Sequence, residues 1–386
     1  MADYKVNKTY QEINKKIAAG KAVVVTAEEI IGIVQKDGPV KAAKKVDVVT
    51  TGTFAPMCSS GVFINIGQSN PPIRTTKTWF NNVPAYSGIA AVDCYLGATQ
   101  TSEDDPLNKR YPGDFEYGGG HVIQDLVAGK KINVKAESYG TDCYPNRKIE
   151  KTITLKDLVN ATLCNPRNAY QNYNCAINRS HKIKYTYMGT LKPGMGNANY
   201  STSGELSPLF NDPYLKTVGL GTRIFLGGAQ GFVTWSGTQH KTEVDRTLDG
   251  APLTPAATLS ATGDLKEMSP EWLVGQSIRG YGVSLSVGLG VPIPILNEEM
   301  AKYTAVSDEN LFTQVLDYGH DYQQCNAKSY GKVSYKELKS GTITIKGQKI
   351  PTVPLSSMVK ARKIADKLKT WIQKGKFLLG EPQKYF

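Results

Sequence analysis

Apolar residues recur along this chain with two spacings, one typical of helices and one typical of strands. Helical spacing occurs at 10–17 and again near the other end, where an amphipathic helix is predicted at about 356–374. Short apolar runs such as 46–50 and 132–137 indicate strands. Strands and helices that alternate in this way predict an α/β fold, with a mixed sheet and flanking helices.

Elsewhere the pattern is less regular. Residues 67–118 are rich in Pro, Asn, Gly and Thr and are predicted to be irregular. A helix start is predicted at 269–271, a helix at 311–316 and a small hairpin within 342–353. No repeat or linker divides the sequence. We therefore predict a single large domain over 1–386, and its division into two lobes is left open.

Composition and charge narrow the classes of function. The chain has 386 residues, 40% hydrophobic and 21% charged, which is typical of a globular protein, and a net charge of +12. Excess positive charge favours the binding of nucleic acid, of anionic substrates or of an acidic protein partner, but no nucleic-acid-binding motif is present. The most apolar run, 283–296, is broken by Gly and Pro, and the N-terminus has no apolar leader. We expect a cytoplasmic protein that binds neither membrane nor nucleic acid.

Cys58 has the surroundings of a reactive thiol. It lies in TTGTFAPMCSSG, a predicted loop between apolar runs that is rich in small and hydroxylated residues. Backbone N–H groups and the hydroxyls of Ser59 and Ser60 could stabilise a thiolate or a persulfide there and contact a substrate. The alternative, a buried cysteine that acts as a small apolar residue, is equally compatible with this pattern.

Cys143 lies in a similar stretch, SYGTDCYPNR, with Arg147 and Lys148 close by in sequence. Cations next to a thiol lower its pKa. Both cysteine loops follow predicted strands. If these strands share a sheet and run the same way, both thiols face one pocket.

The other four cysteines are predicted to be chemically inert. Cys94 is expected to be a packed core thiol, and Cys164 and Cys175 to be unpaired residues of an Asn-rich loop. All four, including Cys325, are expected to tolerate substitution. The sequence has no CxxC pair, and in a reducing compartment a disulfide framework is not expected.

Several further residues are candidates for binding or acid–base chemistry. Gly118–Gly120 precede a predicted helix and could form an anion site from free N–H groups, and His121 there could bind substrate, act as an acid or base, or be structural. Arg223 is the first choice to hold a substrate carboxylate, with Arg279 as its rival. For each arginine the alternative is a structural ion pair. His240 is another possible acid or base.

A set of motifs in a fixed order gives a more specific indication. Over about residues 8–375 the chain resembles the homocysteine-biosynthesis family of anaerobic archaea and bacteria. The resemblance is carried by GTFAPMCSSG, GGGHVIQDLVAGK, YGTDCYP, LSPLFNDP, GLGTRIFLGG, GTQH, GDLKEMSPEWL, GYGVSLSVGLGVPIPILNEE and TQVLDYG.

The resemblance implies an L-aspartate semialdehyde sulfurtransferase. Such an enzyme places sulfide-level sulfur on the aldehyde carbon through a cysteine persulfide, and a two-electron reduction then gives L-homocysteine. The two family cysteines associated with persulfide formation fall on Cys58 and Cys143, as carrier and resolving thiols.

The resemblance also bears on the electron supply. The sequence contains no Cys-rich ferredoxin segment. We therefore expect that this chain binds no cofactor and takes electrons from a separate protein. The resemblance implies that this partner is a small ferredoxin-like protein with iron–sulfur clusters. A homo-oligomer is left open.

Two other classes of function are compatible with these patterns. A thiol-disulfide oxidoreductase would use the same cysteines without sulfur transfer, although the absence of CxxC speaks against it. A non-catalytic component of a sulfur-assimilation complex would be insensitive to substitution of its cysteines.

Overall fold

The computed structural model describes residues 4–168, 173–320 and 328–386. Helices in these ranges are short except for two. They are α1 (Tyr10–Ala18), α2 (Ala27–Lys45), α3 (Gly119–Val127), α4 (Pro208–Asn211), α5 (Glu298–Thr304), α6 (Tyr335–Lys339) and α7 (Met358–Gln373). Among the described residues, no helix combines the length and apolarity that crossing a membrane requires.

Strands account for more of the described chain than helices do. They are β1 (Val24–Thr26), β2 (Val48–Thr50), β3 (Thr53–Pro56), β4 (Gly61–Asn65), β5 (Lys77–Phe80), β6 (Val83–Ala90), β7 (Asp93–Gly97), β8 (Ile132–Glu137), β9 (Lys148–Ile153), β10 (Asn160–Asn168), β11 (Cys175–Ile177), β12 (Lys184–Thr186), β13 (Gly189–Leu191), β14 (Ala198–Tyr200), β15 (Gly219–Leu220), β16 (Arg223–Leu226), β17 (Ala229–Ser236), β18 (Leu259–Asp264), β19 (Leu273–Ile278), β20 (Gly282–Gly290), β21 (Pro292–Pro294), β22 (Phe312–Asp317), β23 (Ser329–Ser334), β24 (Thr342–Ile345), β25 (Gln348–Pro354) and β26 (Lys384–Tyr385).

Local sequence signals set several helix boundaries. Thr26 and Glu29 form a capping box at the start of α2, and Ser357 caps the predicted C-terminal helix, α7. Gly38-Pro39 forms a kink within α2, where Gly38 has a φ of 75°. The predicted α/β class with mixed sheets is confirmed, while the extent of the domain stays a prediction.

The largest sheet curls back on itself. Its order is β19-β20-β16-β17-β18-β10-β4-β7-β6-β5-β8-β9, and β3 pairs with β20 outside this path. From β3 to β4 the path crosses six strand-to-strand steps, which a flat sheet would spread over about 29 Å. The chain from Pro56 to Gly61 reaches only about 18 Å when extended. The sheet must therefore curve, and the turn 57–60, which holds Cys58, bridges its two sides.

A second sheet lies beside this turn. Its order is β23-β22-β11-β14-β25-β24, with a core of its own that includes Tyr200, Phe210 and Tyr335. Strands β14 and β25 are parallel neighbours, so the residues after both emerge at the same edge. In α/β proteins, that edge is where ligands bind.

The sequence-based predictions of local structure for 67–118, 269–271 and 311–316 are wrong. Residues 67–118 contain β5, β6 and β7, and most of 311–316 lies in the strand β22, whose alternating burial is typical of a strand packed on one face. The segment 269–271 is a turn that leads directly into β19. In each case tertiary packing overrides a weak local propensity. The hairpin predicted within 342–353 is confirmed as β24–β25.

The cysteines outside the candidate loops are placed differently from each other. Cys94 is buried, as predicted, and burial raises its pKa to about 12. The loop predicted for Cys164 and Cys175 is wrong: they lie in β10 and β11, and burial raises the pKa of the fully buried Cys175 to about 12. Cys325 lies outside the described residues.

The glycine run before α3 serves close packing. The Gly119 and Gly120 N–H groups donate to the carbonyls of Gln100 and Ala98, so the anion site predicted from free N–H groups is wrong. A Cβ atom on Gly120 would lie 2.0 Å from the Ser284 carbonyl oxygen. The start of α3 thus rests directly on the backbone of β20.

We expect Gly120→Ala to destabilise the protein by about 3 kcal/mol, because the added methyl group meets backbone that has no room to move. Thermal unfolding measures the effect. Gly32→Ala is the matched control, since a Cβ on Gly32 in α2 meets nothing within 4 Å and alanine favours a helix. Equal melting temperatures for the two variants would contradict this account of the glycine run.

Candidate functional site

A cavity of about 360 Å³ lies where the large sheet meets the six-stranded sheet, and Cys58 lines it. The Cys58 side chain is partly exposed there. Ligand pockets in proteins commonly begin at about this size. The cavity can therefore admit a small substrate to the sulfur atom.

Hydrogen bonds beneath the turn fix the position of Cys58. The Ser60 hydroxyl donates to the Met57 carbonyl at 2.7 Å, and the Asn165 side-chain amide donates to Ser60 Oγ at 2.8 Å. Ser60 and Asn165 are both fully buried, so these bonds are shielded from water. Ser60, predicted to bind substrate, lies under the cavity as a support, whereas Ser59 lines it.

Two hydroxyl groups contact the Cys58 sulfur. Ser284 in β20 donates a hydrogen bond from Oγ to Sγ at 3.2 Å, and the Tyr281 hydroxyl interacts with the same sulfur. Burial and the proximity of Cys58 raise the pKa of Tyr281 to about 12, so the phenol keeps its proton at neutral pH. The site can hold a negative sulfur and can supply a proton beside it.

The β19–β20 hairpin carries Tyr281 to this position. Ile278 pairs with Gly282, which leaves a three-residue loop, and the glycines on both sides of Tyr281 have positive φ. A Cβ on Gly280 would lie 2.4 Å from the Tyr185 side chain. The Gly-Tyr-Gly sequence therefore allows a sharp turn that points the phenol toward Cys58.

The opposite wall of the cavity comes from the second sheet. Ser201 and Thr202 follow β14, and Ser356 comes two residues after the parallel strand β25. Two non-glycine residues of the lining, Thr202 and Gln239, have φ of 74° and 60°. Positive φ is a genuine outlier for a β-branched residue such as threonine, and strain of this kind clusters at functional sites.

Two predicted site residues lie outside this cavity lining. Arg223 begins β16, where Nη1 donates to the Leu378 carbonyl at 3.4 Å. His121 lies in α3, where Nε2 is 3.3 Å from Ser277 Oγ and burial lowers the pKa. The alternative candidates also have partners. Arg279 forms an ion pair with Asp114, and His240 Nδ1 is hydrogen-bonded to the Thr258 backbone.

Cys143 is exposed in the loop between β8 and β9 and does not line the cavity. The strand predicted before each cysteine loop is present, but β2 belongs to a three-stranded sheet and β8 to the large one. The condition of a shared sheet is therefore not met. In this conformation the two thiols do not share one pocket.

Three residues of the site were not predicted from the sequence. Arg167, Tyr281 and Ser284 all lie within the cavity lining or contact Cys58. Two signals were present, namely the glycines that flank Tyr281 and the Asn-Pro-Arg-Asn sequence around Arg167. Ser284 lies within an apolar strand and gives no signal of its own. Across the described ranges, no three His, Cys, Asp or Glu residues are grouped so that they could hold a metal ion.

A partly exposed thiol that two hydroxyl groups contact in a small cavity defines the site of a cysteine-dependent enzyme. The chain belongs to the family described as "Homocysteine biosynthesis enzyme, sulfur-incorporation", whose model matches residues 22–379. This confirms the resemblance that the sequence motifs indicate.

Relatives with curated names narrow the comparison. The chain is 52% identical over 377 residues to the L-aspartate semialdehyde sulfurtransferase of Methanosarcina acetivorans, covering 98% of this chain and 71% of that protein. It is 46% identical over 389 residues to the protein of the same name from Methanocaldococcus jannaschii, covering 97% and 72%. An uncharacterized protein of Methanothermobacter thermautotrophicus is 28% identical over 350 residues, covering 88% and 74%. No solved structure matches.

Proposed function

We propose that this protein is an L-aspartate semialdehyde sulfurtransferase in which Cys58 carries the sulfur as a persulfide. The observation that carries the proposal is the contact of Ser284 and Tyr281 with the Cys58 sulfur inside a cavity large enough for a four-carbon amino-acid aldehyde. The names of the two most similar relatives described above support the substrate.

The first proposed step loads the sulfur. Hydrosulfide opens a disulfide between Cys58 and Cys143, which gives a persulfide on Cys58 and a free thiol on Cys143. No external oxidant is needed, because the disulfide is the oxidant. Hydrosulfide forms the new sulfur–sulfur bond, and the electron pair of the broken disulfide bond leaves with the Cys143 thiolate. The Ser284 hydroxyl, 3.2 Å from Sγ, is placed to stabilise the anionic sulfur.

The second step forms the carbon–sulfur bond. The outer sulfur of the persulfide adds to the aldehyde carbon, and the carbonyl oxygen takes a proton, which we assign to Tyr281. The thiolate of Cys143 then attacks the Cys58 sulfur, which restores the disulfide and releases the sulfur on the substrate carbon. Loss of water gives a thioaldehyde, and two electrons with two protons convert it to the thiol of homocysteine.

Electrons for the last step are proposed to come from a separate ferredoxin-like protein with iron–sulfur clusters. The net charge of +12 favours encounter with an acidic electron carrier. Because Cys143 lies outside the cavity, this cycle requires that the loop 138–147, or that of a second copy of the chain, reaches Cys58.

Oxidation without substrate is therefore expected to link Cys58 to Cys143. Cα atoms joined by a disulfide usually lie less than about 7 Å apart, so the link reports whether the exposed loop approaches the cavity. Peptide mapping under non-reducing conditions identifies the bond, and gel electrophoresis separates a link within one chain from a link between two. Complete absence of this pair, with both thiols otherwise reactive, would remove Cys143 from the cycle and leave Cys58 as a lone carrier.

An anaerobic assay tests the proposed function as a whole. The protein is incubated with sulfide, aspartate semialdehyde and a low-potential reductant, and homocysteine is measured by mass spectrometry. We expect homocysteine to form catalytically. Thiol–disulfide exchange without homocysteine would instead identify a thiol-disulfide oxidoreductase.

A further inference from the structure

Of the described residues that line the Cys58 cavity, Arg167 is the cationic one. Among the described residues, its guanidinium has no ion-pair or hydrogen-bond partner; the bonds that residue 167 makes involve only its backbone. The two arginines that were candidates for the substrate carboxylate are engaged, Arg223 with the Leu378 carbonyl and Arg279 with Asp114. A guanidinium that faces a cavity without a partner is ready to receive an anion.

The backbone of Arg167 is tied to the Cys58 turn. Ser59, the next residue after Cys58, donates from Oγ to the Arg167 carbonyl at 3.1 Å. The Arg167 N–H donates to Asn165 Oδ1 at 3.2 Å, and the Asn165 amide nitrogen reaches Ser60. Arginine and thiol are therefore held in a fixed relation by bonds on both sides of residue 167.

A β-bulge directs this arginine. In the pairing of β10 with β18, Asn165 faces Ala261 and Asn168 faces Leu259, so β10 has one residue more than its partner over this stretch. Alternation of buried and exposed positions fails at Pro166 and Arg167, which are both partly exposed. Bulges of this kind occur next to active sites, where they redirect a side chain.

Tyr281 gives an independent sign that the charge is close to the reactive thiol. The positive charge of Arg167 acts on the Tyr281 phenol in the direction that lowers its pKa, against the larger effects of burial and Cys58. Arg167, Tyr281 and Cys58 thus act electrostatically within one site.

We propose that Arg167 forms a carboxylate-binding subsite beside Cys58 and holds the α-carboxylate of the amino-acid substrate, so that the aldehyde carbon is presented to the sulfur. The identity of the substrate rests on the function proposed above. The geometry assigns to Arg167 the role that sequence analysis assigned to Arg223, and the planar guanidinium can bind the carboxylate through two parallel hydrogen bonds.

A binding experiment tests the subsite without requiring sulfur transfer. L-2-Aminobutyrate has the carbon chain, amino group and carboxylate of the substrate but no aldehyde, and should shield Cys58 from alkylation by iodoacetamide. We expect the Arg167→Lys variant to need about 10- to 100-fold more L-2-aminobutyrate for the same protection, because an ammonium group cannot replace the bidentate guanidinium. Arg223→Lys, outside the cavity lining, is the matched control. In this variant the ligand should protect Cys58 as well as it does in the original protein. Equal protection in both variants would overturn the proposal.

Kinetics separate the carboxylate from hydrosulfide, the other anion of the reaction. With aspartate semialdehyde, Arg167→Lys should raise KM about 10- to 100-fold while KM for sulfide stays unchanged. With 3-aminopropanal, which lacks the carboxylate, the original protein and Arg167→Lys should have the same low kcat/KM. A raised KM for sulfide alone would instead place hydrosulfide at Arg167. Failure of the original protein to make homocysteine would refute the proposed function but leave the alkylation result valid.

Discussion

Replacing Cys58 with serine is expected to reduce homocysteine formation at least about a thousandfold, to the background rate. A serine hydroxyl cannot form the sulfur–sulfur bond in which the transferred atom is carried. The fold should persist, because the side chain is partly exposed in a turn held by Ser60 and Asn165. Anaerobic assays with purified protein measure the loss, and circular dichroism confirms the fold.

Cys164 provides the matched control for this substitution. It is also a partly exposed, free cysteine, but it lies in β10 and is not part of the cavity lining. Cys164→Ser should retain activity close to that of the original protein. Substantial activity in Cys58→Ser, or equal losses in the two variants, would remove Cys58 from the mechanism.

Tyr281→Phe is expected to lower kcat by about 100-fold or more while leaving persulfide loading on Cys58 intact. The substitution removes only the hydroxyl group that contacts the sulfur. Without this donor, the oxygen that becomes negative when the persulfide adds to the aldehyde has no positioned acid, and positioned acids typically contribute at least this factor. Single-turnover kinetics with preloaded protein isolate the addition step.

Tyr139→Phe is the control, because Tyr139 is 79% exposed and lies outside the cavity lining. It should behave like the original protein. If Tyr281→Phe blocks persulfide loading as severely as it blocks transfer, the phenol acts on the thiolate of Cys58 and not on the aldehyde oxygen. An unchanged rate in both steps would exclude Tyr281 from the chemistry.

The sequence predicted the reactive loop better than the residues around it. Cys58 and Ser59 were found because small and hydroxylated residues between two apolar runs indicate a loop that a substrate can approach. Their partners come from β10 and β20, more than a hundred positions away along the chain. No local spacing reports such a contact, since it depends on the closure of the large sheet.

Arg223 shows why an arginine is hard to assign from sequence. It was the first choice to hold the substrate carboxylate, but β16 directs the residue toward the C-terminal segment and the Leu378 carbonyl. The residue that does reach the cavity, Arg167, lies in a stretch that was predicted to be a loop and is a strand with a bulge. A bulge adds one residue to a strand, so the side chains after it point to the opposite face of the sheet. An alternating pattern of polar and apolar residues does not reveal where a bulge occurs.

Isotope transfer reports whether the sulfur of homocysteine passes through Cys58. The protein is loaded with isotopically heavy sulfide, freed of excess sulfide, and mixed anaerobically with aspartate semialdehyde and reductant in the presence of ordinary sulfide. The account predicts that the first equivalent of homocysteine carries heavy sulfur and that the persulfide on the Cys58 peptide disappears at the same rate. Homocysteine that contains only ordinary sulfur, while the heavy persulfide persists on Cys58, would contradict it.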